Sequence, residues 1–151
     1  MYKKILLPLD GSELAEAAIP HAKNLALAFD AEVTLISVIE PITMYTQPGM
    51  IGPVMDVPID IEDEIRAANK YLDEVKSKLV AENIRIEAVT LTGYPAVQIC
   101  DYAEENGIDI IVMSTHGRSG IQRWVYGSVA DRILRAAKTP ILLVRVTESR
   151  K

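Results

Sequence analysis

The stretch Lys4-Ile5-Leu6-Leu7-Pro8-Leu9-Asp10-Gly11-Ser12 decides the fold. Lys4 to Leu9 is a nearly continuous apolar run that ends on an acid, a glycine and a hydroxyl. A strand with one face in water alternates apolar and polar residues. A strand apolar at almost every position is buried on both faces, as in parallel sheets covered by helices. The run is too short for a signal-peptide core and stops at an aspartate. Helical spacing follows it. Leu14, Ala18, Ala22, Leu25 and Phe29 recur at three or four residues and predict a helix from about Ser12 to Phe29. Ser12 alone, or Asp10 with Glu13, can cap its start, and Pro20 predicts a kink.

The alternation continues. Glu32 to Val38 reads as a second strand, Ile61 to about Val80 as a second helix, and Ile84 to Leu91 as a third strand. Pro95 to Glu105 reads as a third helix, closed by Asn106-Gly107. Ile108 to Met113 reads as a fourth strand and about Gly127 to Ala137 as a fourth helix, stopped by Thr139-Pro140. Ile141 to Val146 is the fifth strand, and Thr147 to Lys151 a frayed tail. Five strands and four helices with no repeat and no linker predict one doubly wound α/β domain over residues 1–151, with right-handed crossovers. Such sheets bind ligands at the carboxyl ends of their strands, where the strand order reverses. The candidate loops are Pro8–Ser12, Val38–Glu40, Thr92–Tyr94 and Ser114–Ser128. Residues 41–58 break the rhythm with four of the eight prolines and three of the five methionines. They read as a long loop, suited to a lid or a protein contact.

Composition bounds the function. The 151 residues are 49% hydrophobic and 25% charged, which suits one globular core. No apolar run approaches the 18 or so residues of a membrane span. The lone Cys100 excludes an internal disulfide, makes the cytoplasm the default address, and reads as a small buried hydrophobe within a helix. A net charge of −5 argues against a nucleic-acid partner. That average hides a local +4 over residues 114–138 and a local −4 over residues 56–82. Arg132, Arg135 and Lys138 lie along or after a helix, where positive charge complements the dipole. Only Arg118 and Arg123 are left for an anionic ligand. His21 and His116 are far apart, and neither H-x-x-x-H nor C-x-x-C occurs, so no metal-ligand spacing is present.

The segment Met113 to Val129 carries the densest chemical signal. It begins at a strand's carboxyl end and closes at a helix start, with glycines at 117, 120 and 127. Gly127-Ser128 places free N–H donors, a partial positive charge and a hydroxyl at that start, a combination suited to phosphate. A plainer reading is that the glycines make turns and Ser128 caps the helix. G-x-x-x-x-G-K-[ST] is absent, and G-x-G-x-x-G does not follow the first strand. His116 stands without a sequence neighbour that would make it a catalytic base. Trp124 and Tyr126 suit anchors for the loop, on the core, a dimer surface or a ligand's rim.

From Gly117 through nine residues to Gly127-Ser128, this segment resembles the universal stress protein signature, G-x-x-G, nine residues, then G-[ST]. Ser114 stands where that pattern has its first glycine. The opening Lys3 to Ser12, Val38-Ile39 and the closing Lys138 to Val144 also resemble that family, so the similarity spans essentially the whole chain. The resemblance implies a Rossmann-like fold of the adenine-nucleotide α-hydrolase-like type, with strand order 3-2-1-4-5, usually dimeric. It implies ATP as ligand, with Pro8, Asp10 and Val38 bordering the adenosine. Met113, Ser114 and Gly117 would line the ribose and phosphate side, and Gly127, Ser128 and Val129 would hold the phosphates. Any Mg²⁺ or Mn²⁺ would arrive with the phosphates and keep several waters. The apolar last strand is a candidate homodimer edge. Three functions stay open: an ATP-binding regulatory module, a dimeric interaction protein of the same fold that binds no nucleotide, and a slow ATPase.

Overall fold

The computed structural model describes residues 1–41, 60–116 and 126–146. The 41–58 loop beyond Pro41, the segment 117–125 and the tail lie outside the described residues. The elements run β1 (Lys4–Pro8), α1 (Glu13–Glu16), α2 (Ile19–Phe29), β2 (Glu32–Ile39), α3 (Ile61–Val80), β3 (Arg85–Thr92), α4 (Pro95–Glu105), β4 (Ile110–Ser114), α5 (Ser128–Ala136) and β5 (Ile141–Val144). The strands form one parallel sheet in the order β3-β2-β1-β4-β5.

Successive residues of β1 serve opposite faces, as the pleat demands. Ile5 and Leu7 pack with Val33, Leu35, Val112 and the inner sides of α2 and α3. Leu6 packs with Ile36, Ile111, Met113, α4 and α5. Ile5, Leu6 and Leu7 are all fully buried, so a run without alternation was the correct mark of a central strand. Ala18, Ala22 and Ala26, spaced by four, are buried along α2, where small side chains let the helix lie close to the sheet.

Several boundaries differ from the sequence reading, three of them for a local backbone reason. The first helical segment is not one kinked helix. It breaks at Ala17-Ala18 into α1 and α2, with Pro20 in the first turn of α2. Pro20 has no N–H for the carbonyl of Glu16 and its ring would crowd that carbonyl, whereas a helix's first turn needs no such donor. β4 starts at Ile110 rather than Ile108, because the Ile108 N–H is taken by the Ala103 carbonyl at 2.9 Å. That bond, with Gly107 at φ +62°, is a Schellman closure of α4. β5 ends at Val144 rather than Val146, whose N–H turns to the Thr115 hydroxyl at 3.2 Å. β3 is shifted by one residue, to Arg85–Thr92.

The β1 ladder explains where the sheet opens. Lys3 and Leu9 face β2, bonding to Glu32 and Ile36, both at 2.9 Å. Lys4 faces β4, its carbonyl accepting from Asp109 N–H at 2.9 Å. In a parallel ladder a residue's N–H and C=O point the same way and successive residues alternate. Leu6 therefore faces β4, and so does Pro8, which has no N–H to give. β1 pairs with β2 as far as Pro8–Ile36, but with β4 only as far as Leu6–Ile111. Beyond that pair the two strands are not bridged.

At the opposite edge of the sheet, Asp109 Oδ2 accepts the N–H groups of Lys3 at 2.7 Å and Lys4 at 2.9 Å. These two backbone bonds, Lys3's first, hold its carboxyl below the ordinary range. A carboxyl lowered in the folded state stabilises the fold above the ordinary aspartate value of about 3.9 and loses that effect as pH falls through its lowered value. Asp109→Asn should therefore be less stable than the native chain at pH 7, by under about 1 kcal/mol because the group is exposed. In urea unfolding that gap should close as pH is lowered below the ordinary aspartate value. A gap that stays constant with pH would show that the charge plays no part.

Candidate functional site

Where β1 and β4 part, a cavity of about 340 Å³ opens at the carboxyl edge of the sheet. Its wall includes Pro8 at the end of β1 and Asp10 beyond it, Val38 and Glu40 on and after β2, and Met113 and Ser114 at the end of β4. Gly127, Ser128 and Val129 at the start of α5 complete it. Pro95 and Ile99 of α4, Glu64 of α3 and His116 also line it. Eight of the nine site residues expected from the sequence are brought together here, and the ninth, Gly117, lies outside the described residues. So do Arg118, Arg123 and Trp124. Of the four candidate loops, Thr92–Tyr94 does not reach the wall; the next residue, Pro95, does. Tyr126 is 43% exposed, so it does not anchor the loop in the core.

The turn after β1 is held by side chains. Gly11 sits at φ +83°, a left-handed conformation natural to glycine. Asp10 Oδ1 accepts from the Ser12 N–H at 3.0 Å and the Ser12 hydroxyl at 2.6 Å. Ser12 Oγ in turn accepts the Ala15 N–H at 3.1 Å, so Ser12 is the cap of α1 and Asp10 fixes the cap. α1 is tied to α3 by the Tyr71 hydroxyl, which donates to Glu16 Oε1 at 2.8 Å. Burial, with Glu16 alongside, pushes that hydroxyl above the usual tyrosine range, so it is a donor throughout the physiological range.

α5 begins differently. Its N-cap is Gly127, and among the described residues no side-chain cap bond is seen there. Ser128 is the first helical residue, so the plainer reading of Ser128 as the cap does not hold. The Gly127 N–H donates to the Thr115 carbonyl at 2.9 Å and the Asp131 N–H to the Gly127 carbonyl at 2.9 Å. The intervening amides, of Ser128, Val129 and Ala130, belong to the turn that has no intrahelical acceptor. They carry the positive pole of the helix to the cavity wall.

β4 runs into a compact joint. The Thr115 N–H donates to the Val144 carbonyl at 2.9 Å. Thr115 Oγ1 accepts the Val146 N–H and lies 2.9 Å from His116 Nδ1. The Ser114 hydroxyl donates to the His116 carbonyl, so the one departure from the family pattern is absorbed within this joint.

The wall is therefore polarised. Asp10, Glu40 and Glu64 bring carboxylates to the β1–β2–α3 side, and the start of α5 brings a positive pole to the β4 side. A ligand with hydrogen-bond donors at one end and an anion at the other matches that polarity. Glu64 went unrecognised in the sequence because the charges of α3 read as a solvated face. Its spacing of four from Ala68, on the row that continues to Leu72, was the available signal. Of the three bases along or after α5, Arg135 Nε pairs with Asp131 at 3.1 Å and Lys138 Nζ with Glu104 at 3.0 Å. Cys100 is buried in α4, and burial pushes its thiol above the usual cysteine range, as befits an inert packing residue.

Sheet order, polarised cavity and uncapped helix together define a doubly wound α/β protein with a ligand cleft at its topological switch point. A family model described as the universal stress protein family matches residues 1–145. The chain belongs to the universal stress protein family. It is 34% identical over 151 residues to universal stress protein MJ0531 of Methanocaldococcus jannaschii, covering 96% of this chain and 83% of that one. The solved structure of MJ0577 superposes with a TM-score of 0.70 at 30% identity, covering 99% of each chain. Two further structures share the fold. A universal stress protein in complex with cAMP has TM-score 0.70 and 23% identity, over 97% of this chain and 98% of that one. One from Archaeoglobus fulgidus in complex with dAMP has TM-score 0.65 and 24% identity, over 95% and 98%.

Ser12→Ala removes both the acceptor for the Ala15 N–H and the hydroxyl that donates to Asp10. It should lower stability by about 1 kcal/mol, the usual worth of an N-cap, measured by urea unfolding. No measurable loss would mean that α1 does not depend on this cap.

Proposed function

We propose that this chain is an ATP-binding regulatory module of the stress response, acting in the cytoplasm as a homodimer. The observation that carries the reading is the uncapped start of α5 facing a cavity of about 340 Å³ whose opposite side is lined with carboxylates. That volume lies within the range of about 300–1,000 Å³ typical of small-molecule sites. Adenosine offers an amino group and ribose hydroxyls to carboxylates, and its phosphates suit amides at a helix start. Pro8, Asp10 and Val38 take the adenosine in this reading, Met113, Ser114 and Gly117 the ribose and phosphate side, and Gly127, Ser128 and Val129 the phosphates. Neighbours of the same fold solved with cAMP and dAMP support an adenine nucleotide as the ligand class. Among the described residues no group of three or more His, Cys, Asp or Glu is placed to hold a metal ion. In this reading any Mg²⁺ or Mn²⁺ arrives with the phosphates and keeps several waters. No helix among the described residues is long and apolar enough to cross a membrane.

β5 is the outer strand beside β4, with Ile141, Leu142 and Leu143 only partly buried. An apolar edge of this kind favours pairing with a second copy. A protein contact at residues 41–58 belongs to the same reading, on composition alone.

Calorimetric titration of ATP, with and without Mg²⁺, should give saturable binding; a folded sample that binds none would sink the proposal. Gly127 has φ −54° and ψ 150°, backbone that any residue adopts. Gly127→Val should therefore fold normally yet bind ATP at least about tenfold more weakly, by blocking approach to the amides. Unchanged affinity would place the phosphates elsewhere. For the dimer, Ile141→Asp combined with Leu143→Asp should give folded monomers in analytical ultracentrifugation. A persisting dimer would move the interface off β5.

A further inference from the structure

Of the three carboxylates in the described wall of the cavity, Glu64 alone is carried by a helix. It is partly buried, whereas Asp63 beside it is exposed and pairs with Arg66. None of the hydrogen bonds or ion pairs of the described residues uses the Glu64 carboxylate. A carboxylate only accepts, so this part of the wall is open to a ligand's donor. Two ties hold the helix that carries it. The Thr90 hydroxyl of β3 donates to Asn69 Oδ1 at 2.7 Å, and the Tyr71 hydroxyl donates to Glu16 of α1 at 2.8 Å. Tyr71 follows Glu64 by about two turns, so both lie on the same side of α3.

Position decides which donor. α3 packs on β2 and β3, so Glu64 stands on the β2 side of the cavity, away from β4. The start of α5 lies at the other end, against the end of β4. β2 and β4 flank β1 and are about 10 Å apart, two strand spacings. A nucleotide with its phosphates at α5 and its length across the strands carries its ribose over β1, beside Asp10, and its base over β2, beside Val38. The outer edge of the base then faces Glu64. We propose that Glu64 is a specificity-determining residue that reads this edge: its carboxylate accepts an N–H of the amino group on C6 of adenine. The proposal rests on the nucleotide reading of the cleft. A purine with only hydrogen at C6 gives the carboxylate nothing to accept, and a 6-oxo purine turns an acceptor toward it.

Calorimetry on the full chain should compare ATP with purine riboside 5′-triphosphate, which lacks only the amino group. The native chain should bind ATP about tenfold or more tightly, as one hydrogen bond to a charged group is worth. In Glu64→Ala that preference should shrink to about twofold or less, because the comparison is a double-mutant cycle between carboxylate and amino group. The ratio is the readout, since losing a negative charge near the triphosphate shifts both affinities alike. Alanine suits a helix and Glu64 fills no core position, so the variant keeps its fold. Equal affinity for the two ligands in the native chain, or a preference kept in full by Glu64→Ala, overturns the role of Glu64 and leaves the nucleotide reading intact. A native chain that binds neither ligand overturns the nucleotide reading and the role with it.

Discussion

The cleft depends on one missing hydrogen-bond donor. Pro8 faces β4 at the point where the strand order reverses, and it has no N–H with which to continue the ladder. With Pro8 the pairing stops at Leu6–Ile111, while β2 stays bonded to β1 and β5 to β4. The sheet remains continuous at its amino edge and divides at its carboxyl edge. The two apolar layers, one on each face, keep the strands in place around that division.

What fills the division with chemistry is the way α5 is attached. The bond from the Gly127 amide to the Thr115 carbonyl sets the helix start against the end of β4, whatever the length of chain between them. A glycine cap contributes no side chain, so nothing of the helix's own covers its first amides. α1 shows the contrast. It too begins at the carboxyl edge, but Ser12 occupies its amides and Asp10 occupies Ser12. One helix start is closed by its own sequence and the other is left open beside the cavity.

Much of this was legible in the sequence, and the reasons differ by element. The unalternating run of β1 and the helical spacing of α3 and α4 report burial directly, and their positions were read to within a residue or two. Three of the boundaries that were missed depend on single backbone donors: Pro20 lacking one, Ile108 giving its own to Ala103, and Val146 giving its own to a hydroxyl 31 positions away. A partner that distant in sequence leaves no local trace. In the site, glycines and hydroxyls at strand ends were visible as types, so eight of the nine expected residues are found around one cavity. Glu64 escaped because charge on a helix is ordinarily solvent-facing, and only its register with Ala68 and Leu72 marked it as turned inward.

The Thr115 hydroxyl stands between two parts of the molecule that differ in kind, a side chain in the cleft and the backbone just past the outer strand. Its oxygen accepts the Val146 N–H and lies within hydrogen-bond distance of His116 Nδ1, and bonds that share one hydroxyl polarise each other. Such sharing is reciprocal as a matter of thermodynamics. The hold on the residue past β5 and the contact with the histidine ring share one oxygen. An oxygen atom 2.9 Å from one and 3.2 Å from the other joins the wall of the cleft to the edge of the sheet.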